Sequence, residues 1–198
     1  MADIEILEKR WAELASKPKT NEEIEETLLL AKQIEIERAK EYQGLIDELA
    51  VLDIKINSIW DLVNTKSKYP KAIPVLMKYL PLVSYVRNKE GIVRALTVPE
   101  AKGLVVSLLV KEFLQLPNDK ENLRWVIGNA VNVTITKSEV ADIFPIVLNK
   151  ENGLSRQMFV SALGKIKAEN VKDVLLRLVN DDDKVISNVA KKALKKVS

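Results

Sequence analysis

The chain has 198 residues, 47% apolar and 30% charged, with a net charge of +3 and neither cysteine nor histidine. That length supports one sizeable core and cramps two unrelated domains, and no uncharged apolar run approaches the roughly 20 residues of a membrane-spanning helix. The missing Cys and His exclude disulfides, thiolate and imidazole metal ligands, thiol nucleophiles, His-dependent triads and the usual neutral-pH general base.

Apolar residues recur at steps of three and four almost everywhere, strand-like alternation is nearly absent, and glycine (6) and proline (7) are scarce, so the chain is expected to be all-α. Helices are expected near 3–16, 21–50, 57–64, 70–81, 87–97, 99–115, 119–131, 138–149, 154–167, 171–179 and 183–197. The opening "MADIEILEKRWAEL" mixes acids and bases with apolar residues, which does not read as a secretion signal, and a cytoplasmic location is the expectation.

Thr20 and Glu23 in "TNEE" have capping-box spacing, and Thr136 and Glu139 in "TKSE" repeat it. Pro99 suits a first turn, and Asn170 and Asp182 or Asp183 are expected as caps. A helix over 21–50 would be roughly 45 Å long. It reads as a brace across shorter partners, with Leu28, Leu29, Ala31, Ile34 and Ile36 as its apolar face, continued by Tyr42, Leu45, Ile46 and Leu49. The rival reading is a coiled-coil dimerisation arm. Without a clean heptad, and with Gly44 inside, intramolecular packing and a monomer are preferred. In "SIWDLVN", Trp60 is expected under the long helix with Asp61 toward solvent.

From residue 70 onward the pattern repeats. Ala95-Leu96, Ala130-Val131, Ala162-Leu163 and Ala193-Leu194 are separated by 35, 32 and 31 residues. Leu80, Leu114, Leu148 and Val179, from the preceding helices, are separated by 34, 34 and 31. Three residues before each Ala stands a further core candidate: Ile92, Ile127, Phe159 and Ala190. Six before stands a cation in three units, Lys89, Arg124 and Arg156, with Ser187 in the fourth. Pro74 and Pro145 sit early in first helices and are expected to bend them.

"NGLSRQMFVSALGKI" and "DDDKVISNVAKKAL" carry a resemblance to HEAT repeats of the armadillo-like superfamily, over about residues 70–198 as four units with a degenerate earlier one. The resemblance implies a right-handed α-α superhelix, a solenoid of four to five helical hairpins in residues 51–198, with helices of residues 1–50 packed on it as one structural domain. It also implies that second helices line a concave surface. Along them runs a mostly polar row: Glu90, Trp125, Gln157 and Asn188, then Arg94, Asn129, Ser161 and Lys192.

The candidate binding residues are Lys89, Arg94, Arg124, Trp125, Asn129, Arg156, Gln157, Asn188 and Lys192, with Trp125 as the hot spot. Two plainer readings stand beside this one. Trp125 packs on a neighbouring helix, or the three cations bond to acids and carbonyls at the preceding turn, as Asp119 would for Arg124. No catalytic residue, metal or cofactor is expected, since P-loop, GxGxxG, SxxK and calcium-loop patterns are absent.

Residues 1–60 carry 8 basic and 14 acidic side chains, and residues 61–198 carry 23 and 14. The basic portion leaves nucleic-acid binding open as an alternative. A resemblance to HEAT-like alkylpurine DNA glycosylases, which use aromatics and a carboxylate, would direct attention to Trp60 and Asp61. The terminal lysines 191, 192, 195 and 196 are read as favouring a helix dipole. The expected function is non-enzymatic: a small bacterial HEAT-like protein that binds another protein on its concave face, as an immunity protein, antitoxin or adaptor does.

Overall fold

A computed structural model describes residues 2–197, and side chains from Ile4 onward. Every regular element among them is helical. The α-helices are α1 (Ala2–Ala15), α2 (Asn21–Val51), α3 (Ile59–Asn64), α4 (Ala72–Tyr79), α5 (Val86–Ala95), α6 (Val106–Gln115), α7 (Glu121–Thr134), α8 (Phe144–Leu148), α9 (Gln157–Leu163), α10 (Glu169–Leu178) and α11 (Lys184–Val197). Short 3-10 helices at Leu80–Leu82, Pro99–Ala101, Lys137–Ile143 and Lys150–Arg156 interleave with them. Among the described residues, no helix is long and apolar enough to cross a membrane.

Side chains set several helix starts. Thr20 and Glu23 close a capping box, with Glu23 N–H donating to Thr20 Oγ1 at 3.2 Å and Thr20 N–H to Glu23 Oε2 at 3.0 Å. Ser58 and Asp61 do the same for α3, and Thr136 and Glu139 for the 3-10 helix that precedes α8. Asp183 caps α11 by accepting from Val185 N–H at 2.7 Å, whereas α10 begins before Asn170, with Ala168 at its cap.

Two expected helices are broken. Instead of one helix over 99–115 there is a 3-10 turn from Pro99, then Gly103 at φ +75°, whose N–H donates to Thr134 O, and only then α6. A left-handed residue cannot lie inside a right-handed helix. Over 138–149 the chain runs as 3-10 helix to Ile143 before α8, and Pro145 opens α8 where a missing N–H costs nothing. Pro74 likewise sits in the first turn of α4.

Packing follows chain order. α3 touches α5, α5 touches α7, α7 touches α9, and α9 touches α11. α6 pairs with α7, α8 with α9 and α10 with α11. Ala95, Ala130, Ala162 and Ala193 are all buried, as are Ile92, Ile127, Phe159 and Ala190. The first-helix ladder is displaced by one residue. Leu80 is buried, but Leu114 and Leu148 are exposed, and their neighbours Phe113 and Val147 take the core positions with Leu178. A residue is a 100° step on a helix, and in the pairs Phe113-Leu114 and Val147-Leu148 that step carries the first side chain inward and the second out.

Small residues allow the close approaches. Gly128 of α7 lies against Met158 and Phe159, where an added Cβ would meet Met158 Cβ at 3.0 Å. Gly164, after α9, faces the backbone of Ala193, with Cα 2.9 Å from where a Cβ would be. Phe113 and Phe159 meet edge to face at 4.9 Å between these layers.

The N-terminal hairpin differs from the expected brace. α1 packs chiefly on α2, and α2 reaches α4. α2 runs its 31 residues with a kink at Tyr42. Ile34, Tyr42, Leu45 and Leu49 are buried, but Leu28, Leu29 and Ile36 point outward. A polar knot ties the hairpin to α5: Glu41 accepts from Ser84 N–H (2.7 Å), Tyr85 N–H (2.9 Å) and Asn88 Nδ2 (2.8 Å). Glu8 joins Arg38 and Tyr85 in the same region.

Candidate binding groove

The three cations of the repeat point inward. Arg156 is 2% exposed and grips Asp181 with two bonds, Nη1 to Oδ2 at 2.7 Å and Nη2 to Oδ1 at 3.1 Å. It also donates to the carbonyls of Val147 and Gly153. The hydrogen bond from Arg156 holds the Asp181 carboxyl below the usual range, against a smaller opposing effect of burial.

Arg124 is 3% exposed and, among the described residues, has no carboxylate partner. Its Nη1 donates to Leu116 O at 2.9 Å and Phe113 O at 3.4 Å, its Nη2 donates to Asn152 Oδ1 at 2.6 Å, and the guanidinium lies 4.0 Å from the Phe113 ring centroid. Burial lowers its pKa. Asp119 pairs instead with Lys120. Lys89 reaches Glu112, which is buried.

Each cation therefore joins its own hairpin to the next one's residues, and Lys89, Arg124 and Arg156 act as staples between them. Ser187 fills the fourth position by donating to Val179 O at 2.6 Å, the same capping of a first helix's end that Arg124 and Arg156 perform. Of the polar row, Glu90 is also internal, accepting from Arg94 Nε at 2.8 Å and Asn122 Nδ2 at 3.1 Å.

Trp125, 44% exposed on α7, is the large side chain of the row that stays outward. It lines an open groove of about 570 Å³ between the turn before α7 and the turn before α9. Leu154, 56% exposed, is the groove's second apolar surface. Glu121 and Glu151 line it with Asn118 and Gln157, and Arg124 and Asn152 form its floor with their hydrogen bonds turned inward. Gly153 shapes the far wall at φ +51° and ψ −137°, a conformation open to glycine alone.

The groove thus unites Arg124, Trp125 and Gln157 from the candidate set. Arg94 lies in a separate hollow beside Tyr69 and Glu100. Asn129 is half-buried further along α7, and Asn188 and Lys192 are exposed on α11. Trp60 rests against Gly91 of α5, with the Arg87 guanidinium 5.9 Å from its ring. Asp61 faces solvent and is occupied as a cap acceptor for Asn57 N–H at 2.8 Å and Ser58 N–H at 3.1 Å.

Compared with family models, curated proteins and solved structures, the chain matches none.

Proposed function

We propose that the chain is a HEAT-like α-solenoid without enzymatic activity that binds another protein through the Trp125 groove. The observation that carries this reading is a large aromatic left half-exposed beside Leu154, next to an arginine that is 3% exposed and hydrogen-bonded to carbonyls and Asn152 inside the chain. Burying one exposed Trp and one exposed Leu in a pocket is the kind of contact on which protein interfaces concentrate their affinity. Glu121 and Glu151 give the rim a negative character, which favours a partner segment presenting Lys or Arg beside an apolar residue.

The solenoid part of the proposal rests on the chain-ordered contacts from α3 to α11 and on the buried Ala and Ile/Phe ladders. Nucleic-acid binding draws support from the basic balance of residues 61–198, but Arg124 and Arg156 are spent in the interior and the groove's free charges are acidic. Phosphates would be repelled there.

The test is capture of a partner on immobilised chain from its native host, followed by affinity measurement of that purified partner. A Trp125→Ala variant with unchanged circular dichroism should bind about 30-fold or more weakly, the loss of a hot spot. Undiminished affinity overturns the choice of groove. Loss of binding between low and moderate salt as steep as counterion release demands would favour the nucleic-acid reading.

A further inference from the structure

Among the described residues, nothing covers Leu28, Leu29 and Ile36 on the outer face of α2. Leu28, Leu29 and Ile36 are 66%, 69% and 51% exposed, whereas Ile34, Tyr42, Leu45 and Leu49 on the opposite side are buried. Three aliphatic side chains grouped on one helical face are more than the scattered apolar residues that any surface carries.

Read at alternating steps of three and four, this face runs Glu22, Glu25, Leu29, Lys32, Ile36, before Ala39 turns onto the core. It occupies the straight part of α2, ending at the kink at Tyr42. Charge along it has a direction, with Glu22 and Glu25 near the N-terminus, Lys32 in the middle and Lys40 toward the far end.

A second copy laid antiparallel, about a two-fold axis between residues 32 and 33, sets Leu29 against Ile36 twice and Glu25 beside Lys40 twice. A parallel copy would set Glu25 on Glu25, whereas Lys32 falls near its own counterpart in either orientation, so Glu25 beside Lys40 is the contact that separates the two. The face is thus complementary to itself in one orientation, and a second copy of the chain is the occupant its charges fit. Lys40 pairs with Glu37 of its own helix at 2.6 Å, an exposed pair that exchanges at little cost.

We propose that the chain forms an antiparallel, isologous dimer through the outer face of α2. The claim is independent of the Trp125 groove, which lies between α7 and α9. Either can fail without the other.

The experiment is sedimentation equilibrium of the full chain over a wide concentration range, on wild type and three variants altered only at exposed positions. Wild type should rise from monomer to twice the monomer mass as concentration increases. Leu29→Glu with Ile36→Glu should remain monomeric, with unchanged circular dichroism. Glu25→Lys should weaken the dimer about tenfold, and Glu25→Lys with Lys40→Glu should restore it, since the double exchange rebuilds the pair reversed. A chain that is monomeric at every concentration overturns the proposal. So does a dimer that survives Leu29→Glu with Ile36→Glu, or one that the second charge exchange weakens further.

Discussion

Arg156 and Asp181 form a two-bond ion pair, 2.7 and 3.1 Å long, in which both side chains are at least 95% buried. The pair links the start of α9 to the turn before α11, so it fastens one hairpin to the next. Removing one member would strand the other charge out of water. Asp181→Asn should therefore lower stability by about 3–5 kcal/mol, read by urea denaturation. Replacing both with apolar residues of similar size should cost less than the single change.

The same pair gives a pH dependence. Asp181 has its pKa depressed in the folded state by the Arg156 hydrogen bond. Its contribution is fully present above the unfolded carboxylate value of about 3.9 and is lost as pH falls through the lower folded value. The stability difference between wild type and Asp181→Asn should stay constant from neutral pH down to the carboxylate range and shrink only below it. A difference that instead changes around neutrality would point to another group.

Gly164 lies 2.9 Å, measured from an ideal Cβ, from both Cα and Cβ of Ala193. Its own φ of −66° is ordinary, so an alanine there would be unstrained but would collide with backbone. Gly164→Ala should destabilise by about 1–3 kcal/mol through separation of α9 from α11, read as a fall in the denaturation midpoint.

Phe113 and Trp125 are both aromatic neighbours in the Arg124 region, and they differ in burial. Phe113 is fully buried, edge-on to Phe159 and under the Arg124 guanidinium, so Phe113→Ala should cost about 3–5 kcal/mol. Trp125 is half-exposed, and Trp125→Ala should cost about 1 kcal/mol in the isolated chain. A Trp125 variant as unstable as the Phe113 one would mean that the indole is a core side chain.

Much of the helical layout was legible in the sequence because it is written in local chemistry. Thr20 with Glu23 and Thr136 with Glu139 cap where their spacing says they do. The Ala and Ile/Phe ladders are buried throughout because each second helix packs on the next. Where two apolar residues adjoin, as in Phe113-Leu114 and Val147-Leu148, spacing cannot choose between them, and the choice fell on the wrong one.

Periodicity also cannot say whether an apolar face finds its partner in the same chain, which is why Leu28, Leu29 and Ile36 were read as packed and are exposed. The groove was half visible. Trp125 and Gln157 belong to a periodic helix row, but Leu154, Glu121 and Glu151 come from two turns or helix starts that only the fold brings together. Glu90 had a signal, its spacing of four from Arg94, and that pairing draws it out of the exposed row.

The chain-ordered stacking of α5, α7, α9 and α11 is what every part of this account requires, and distances between spin labels test it directly. The chain has no cysteine, so labels can be placed at Arg94 paired in turn with Asn129, Ser161 and Lys192, with labelled chain diluted in unlabelled. Helices in contact lie about 8–10 Å apart, so the three separations should increase stepwise to roughly 25–30 Å. A separation between positions 94 and 192 no longer than that between 94 and 129 would mean a closed bundle and contradict the stack.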